Sequence, residues 1–62
     1  MRFLIGQKWI TKDGKLQGEV VEISDDGRSG ALVITDDKGI IVDSYAGTWA
    51  AFQGLGVWQV AT

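Results

Sequence analysis

The chain has 62 residues, 45% hydrophobic and 23% charged, a composition that predicts a single folded domain over residues 1–62 rather than a disordered segment. It contains no cysteine and no histidine, which excludes disulfides, thiolate metal sites and the usual general base near neutral pH. The net charge of −2 argues against a bulk electrostatic attraction to nucleic acid or to an anionic membrane.

The chain opens with a short apolar run at residues 3–5, which is too short for the core of a signal peptide. No apolar stretch approaches the ~20 residues that a membrane helix needs. We therefore expect a soluble, cytoplasmic protein that does not interact with membranes. The first predicted strand covers residues 9–11, and the run 3–5 is a candidate for its continuation.

Glycine-containing polar turns at residues 12–15, 25–30 and 36–39 divide the middle of the chain, since glycine after a polar residue suits tight turns. Runs rich in valine and isoleucine between and after these turns predict three strands, at residues 16–23, 31–35 and 40–43. Imperfect alternation in the first of these runs predicts a bulge or bend at residues 18–21. The last strand is predicted at residues 57–61.

A helical turn is predicted over residues 49–53, with Thr48 as its N-cap and Gly54 at its end. The three-residue spacing of Trp49 and Phe52 places both rings on the same side of that turn. We expect the connection 45–57 to close one end of the fold and to form the rim of a binding face.

These elements resemble the Src-homology-three-like small β-barrel, an architecture shared by Tudor domains, KOW domains and related ribosomal, phage or mobile-element modules. The resemblance is carried by the strand entry 6–9, the strand 18–23, the turn 36–39 and the segment 48–58. It implies an all-β fold: a five-stranded antiparallel small barrel with a short helical turn before the last strand. It also implies that a ligand lies between the first long loop and the last connection.

The residues that could carry catalysis do not form a recognisable site. Ser24, Ser29 and Ser44 have no histidine or cysteine with which to build a nucleophilic triad. The aspartate pairs 25–26 and 36–37 could suggest calcium, but the loop 25–30 lacks the alternating oxygen ligands and closing glutamate of a calcium loop. Acidic residues beside glycine are ordinary turn formers. We therefore expect a protein that is not an enzyme and that uses neither a cofactor nor a metal.

The aromatic residues are the strongest indication of function, because aromatic side chains mark interaction sites when they reach the surface. They can equally serve as core, and the sequence does not separate the two roles. We predict an interaction module that binds a protein partner or itself, as a homo-oligomer, through an aromatic face. The candidate binding residues are Trp9, Tyr45, Trp49, Trp58 and Lys8.

An alternative function uses the positive charge of the first fifteen residues. Lys8, Lys12 and Lys15 lie near Trp9, so the lysines could contact phosphates while a base stacks on the indole. This pattern predicts a weak single-stranded nucleic-acid binder. The same lysines could simply protect an exposed edge strand from aggregation.

Overall fold

The computed structural model describes residues 2–61 and contains five strands and one short helix. These are β1 (Lys8–Thr11), β2 (Gln17–Ile23), β3 (Ser29–Thr35), β4 (Ile41–Thr48), α1 (Trp49–Gly54) and β5 (Trp58–Val60). All strand pairs are antiparallel and form one sheet in the order β4-β3-β2-β1-β5. The prediction of an all-β, five-stranded antiparallel fold with a short helix before the last strand is confirmed.

The sheet is open in the part of the chain that the structure describes. Strands β4 and β5 are its two edges, and they are not hydrogen-bonded to each other. A closed barrel, which the resemblance implied, is therefore not confirmed.

Three aspartate turns connect the first four strands. In each turn an aspartate carboxylate accepts the backbone N–H of the residue two places later, and a glycine in the same turn has a positive φ. The pairs are Asp13 with Gly14, Asp26 with Gly27, and Asp36 with Gly39. Because only glycine adopts that conformation without strain, these turns form where the sequence predicts them.

Strand β2 contains the predicted irregularity. Val20 pairs with Leu32 and Glu22 pairs with Ala31, so Val21 is an extra residue opposite β3. Such a bulge bends its strand and increases the local twist.

The apolar run at residues 3–5 does not form a strand and does not extend β1. The Phe3 N–H donates to the Gly27 carbonyl at 2.7 Å, and the Phe3 side chain is fully buried. This segment therefore covers one end of the core.

The core is a single cluster made mostly of aromatic rings. Its buried members are Phe3, Trp9, Val20, Leu32 and Phe52. Phe52 from α1 lies between 5.1 and 5.6 Å, centroid to centroid, from rings on β1, β4, β5 and the N-terminal segment. The helix therefore packs on the same face of the sheet that carries Trp9.

Candidate functional site

Helix α1 is positioned by its cap. The Thr48 hydroxyl accepts the Ala51 N–H at 3.1 Å, as predicted, and the chain then turns away at Gly56, whose φ is positive. Trp49 and Phe52 both contact the core, so the prediction that their rings share one side of the helix is confirmed. Phe52 is fully buried, whereas Trp49 is only half-buried.

Trp9 lies in the core rather than on a surface. Its side chain is 2% exposed, and its indole N–H donates to the Gln7 side-chain carbonyl at 3.2 Å. Trp49 and Phe52 pack against the ring edge-on. The indole therefore offers no face on which a base or a partner could stack.

Tyr45 and Trp58 are half-buried and lie on the two edge strands. Both rings contact Phe52, at 5.3 and 5.5 Å between centroids. Trp58 also covers Gly18, where an added Cβ would lie 3.6 Å from the indole. These two side chains fill the space between helix and sheet and expose part of their rings.

Lys8 is exposed and pairs across β1 and β2 with Glu19. It neighbours Trp9 in the strand, so the two side chains point to opposite faces of the sheet. Lys12 and Lys15 lie in the following turn and are also exposed. The structure therefore does not bring the lysines and the Trp9 indole together into one binding surface.

A groove of about 320 Å³ lies where β4 meets the helix and is lined by Arg28, Thr48, Trp49 and Ala50. We call it the Trp49 groove. The Trp49 N–H donates to the Arg28 carbonyl at 2.6 Å, which joins the β2–β3 turn to the start of α1. The Arg28 side chain is 83% exposed, and its only ion pair in residues 2–61 is with Asp26, at 3.9 Å.

Arg28 was missed by the sequence reasoning, which assigned residues 25–30 to a turn and no more. Its place beside Trp49 follows from the pairing of β3 with β4, which aligns Ser29 with Thr48. No local pattern in the sequence indicates that register.

A second groove, of about 410 Å³, lies between the first turn and the last connection. Leu16 and Val57 supply its apolar walls, with Thr11, Lys12, Asp13 and Gly56 around them. This is where the resemblance placed a ligand, but none of the predicted aromatic site residues lines it.

The turn aspartates are occupied by hydrogen bonds within their own turns. The Thr11 hydroxyl and the Lys15 N–H lower the pKa of Asp13, and the Arg28 N–H and Ser24 hydroxyl lower the pKa of Asp26. Within residues 2–61, no three potential metal ligands cluster together. These aspartates act as turn residues.

Within residues 2–61, nine large aliphatic side chains are at least 48% exposed. Ile40 lies just before β4, Ile41 and Val42 begin that strand, and three more of these side chains lie around β5. The nine are Leu4, Ile5, Val21, Ile40, Ile41, Val42, Leu55, Val57 and Val60.

Comparison of the chain with models of protein families, with curated proteins and with solved structures finds no match. Within residues 2–61, no helix combines the length and the apolar character needed to cross a membrane.

Proposed function

We propose that this chain is a non-catalytic interaction module that binds a protein partner, or a second copy of itself, at the Trp49 groove and the adjoining end of β4. The observation that carries the proposal is the exposed Arg28 beside the half-buried Trp49. Arginine and tryptophan dominate the binding energy of protein interfaces, because both bury large contact areas while keeping a polar group available.

The exposed aliphatic side chains support the same proposal. Burial of apolar area drives protein association, and β4, the strand that ends at this groove, keeps Ile41 and Val42 exposed to water. The proposal includes no reaction, cofactor or metal, since the chain has no histidine or cysteine to activate its serines.

We also propose that the open sheet curls toward an incompletely closed, Src-homology-three-like barrel. Its support is that Tyr45 on one edge strand and Trp58 on the other both contact Phe52. The helix then fills the gap between the two edges.

The alternative function, single-stranded nucleic-acid binding, is weakened by the burial of Trp9. Lys8, Lys12 and Lys15 would have to bind phosphates without the stacking surface that the hypothesis requires. Three exposed lysines on a chain of net charge −2 give little electrostatic attraction.

Site-specific photo-crosslinking tests the proposed surface. A benzophenone amino acid replaces Ala50, which is exposed and lines the Trp49 groove, and the variant is irradiated in extract of the host cell. The matched control carries the same probe at Gln59, which is exposed on β5 at the other edge of the sheet. We expect a discrete adduct from the Ala50 probe and none from the Gln59 probe.

The mass of the adduct distinguishes the partners, since a second copy doubles the mass of the chain. Equal labelling from both positions, or no adduct from either, contradicts the proposal.

A further inference from the structure

We propose that β4 is a self-recognition edge: it pairs antiparallel with β4 of a second copy about a twofold axis and joins two five-stranded sheets into one. This inference rests on the proposed function and names the partner and the surface. Its basis is the hydrogen-bonding capacity, length, apolar content and charge of β4.

The outer edge of β4 presents unpaired backbone groups. The Trp49 N–H donates to Arg28, on the side of β3, and N–H directions alternate along a strand. The backbone groups of Gly47 and Tyr45 therefore point toward β3, and those of Thr48, Ala46 and Ser44 point outward. Within residues 2–61, no strand pairs with this outer side.

The two edges of the sheet are unequal, which favours β4 pairing with its own copy. Strand β4 has eight residues, or about 27 Å of extended chain, whereas β5 has three. A head-to-tail contact of β4 with β5 of the next copy would be limited by the shorter strand. Twofold pairing uses the longer edge on both sides and closes after two copies.

Apolar side chains extend the contact beyond the backbone. Ile40, Ile41 and Val42 are 58%, 68% and 52% exposed. A specific interface needs about 600 Å² from each copy, roughly one-seventh of the 4153 Å² surface of this chain. Pairing along all of β4 brings Ile41 and Val42 of each copy into the contact, with Ile40 at its margin.

The charges select the register and the direction. Asp43 is the one charged residue in β4, so a twofold axis at Asp43 would set two carboxylates opposite each other, which is destabilising. Pairing over the full length of β4 centres the axis at residues 44–46, and each of these positions sets Asp43 opposite an uncharged residue of the other copy. Antiparallel pairing then brings the β3–β4 turn of one copy to the end of β4 in the other copy, beside its Arg28. That turn carries the carboxylates of Asp36 and Asp37 and the ammonium of Lys38.

Asp43 also moderates the association. Its carboxylate accepts the outward Ser44 N–H at 2.8 Å and thus covers one of the groups that pairing would use. Charged residues on edge strands commonly restrain pairing in this way. The structure therefore indicates a reversible dimer whose affinity increases when Asp43 is removed.

The test measures the mass of the full chain by light scattering over a range of concentrations. We expect a monomer–dimer equilibrium for the native chain and a shift toward dimer for Asp43→Ala. Ala46→Pro removes only an outward N–H, which an edge strand tolerates, and should be a folded monomer by circular dichroism. The matched control, Ala46→Val, keeps the N–H and should dimerise. If Ala46→Pro fails to fold, Ala46→Lys replaces it as the monomeric variant. It places two ammonium groups near each other at the axis, and their repulsion should prevent dimerisation.

Single cysteines locate the contact, because the native chain has none. Across an antiparallel pair, facing Cα atoms lie about 5.5 Å apart, within disulfide range. Ser44→Cys alone or Ala46→Cys alone should oxidise to a covalent dimer when the axis lies at that residue, and an equal mixture of the two variants should do so when the axis lies at residue 45. Gln59→Cys on β5 should not.

A native chain that stays monomeric at every concentration, or a dimer that crosslinks only through Gln59→Cys, overturns the inference. If the Ala50 probe then gives an adduct whose mass differs from that of two copies of the chain, the proposed function is still supported. A monomer without any such adduct contradicts both.

Discussion

Four aromatic rings surround Phe52, and no other side chain in residues 2–61 joins both edges of the sheet through ring contacts. We predict that Phe52→Ala costs about 3–5 kcal/mol of unfolding free energy and leaves a chain of this size largely unfolded. Trp49→Ala should cost less, because Trp49 already exposes part of its ring. Urea denaturation followed by circular dichroism measures both. Equal losses, or two variants as stable as the native chain, would contradict this description of the core.

Gly30 is required because the N-terminal segment lies against it. A Cβ at this position would lie 2.9 Å from the Phe3 ring and 3.0 Å from the Glu22 carbonyl. We predict that Gly30→Ala destabilises the fold by about 1–3 kcal/mol. The control is Gly54→Ala in α1, where a Cβ meets no atom within 4 Å and alanine favours the helix. The thermal midpoint should fall for the first variant and stay constant or rise for the second; the reverse order would refute the packing of Phe3 on Gly30.

At the scale of elements, the turns make the stability depend on pH. Hydrogen bonds hold the pKa of Asp13 and Asp26 below the ordinary value of 3.8. These carboxylates therefore stabilise the fold above that pH, and the contribution is lost as the pH falls through their lowered values. We predict that Asp13→Asn with Asp26→Asn weakens the loss of stability that the native chain shows as the pH falls below 3.8. Urea titrations at a series of pH values measure the free energy of unfolding of the native chain and of the double variant.

The control for the pH prediction is Asp25→Asn, which removes a neighbouring carboxylate that makes none of these hydrogen bonds. Its acid sensitivity should match that of the native chain. A double variant with unchanged acid sensitivity would show that the turns do not contribute.

Most of the elements could be predicted from the sequence, because their signals are local. Aspartate followed by glycine marks the turns, β-branched runs mark the strands, and Thr48 marks the start of α1. The bulge was also predictable, since Val20 and Val21 interrupt the alternation of β2.

The elements that sequence reasoning missed depend on contacts between distant residues. Strand β4 runs to Thr48, not to residue 43, because pairing with β3 continues through Ala46 and Gly47, whose strand propensity is low. Residues 3–5 do not form a strand, and the Phe3 ring is instead buried in the core beside Gly30. The burial of Trp9 also depends on residues distant in the sequence, so the sequence analysis wrongly predicted Trp9 as a site residue.

At the scale of the whole molecule, the positive charge of the first fifteen residues and the aromatic rings are separated. Lys8 lies on the face opposite the core, and Trp9 is buried. We predict that labelled single-stranded oligonucleotides do not bind, even at low salt where phosphate contacts are strongest. Fluorescence anisotropy at two salt concentrations checks this. Salt-dependent binding that Lys8→Ala weakens would instead support the nucleic-acid function.

The Trp49 groove and the outward edge of β4 meet at Thr48, so the proposed function and the proposed self-pairing involve one corner of the molecule. The most direct test is a series of ¹H–¹⁵N correlation spectra of the native chain from dilute to concentrated solution. We expect the amides of Ser44, Ala46 and Thr48 to shift and to gain protection from hydrogen exchange as concentration rises, while those of β5 stay constant. Spectra that do not change with concentration, or changes confined to β5, would contradict the account.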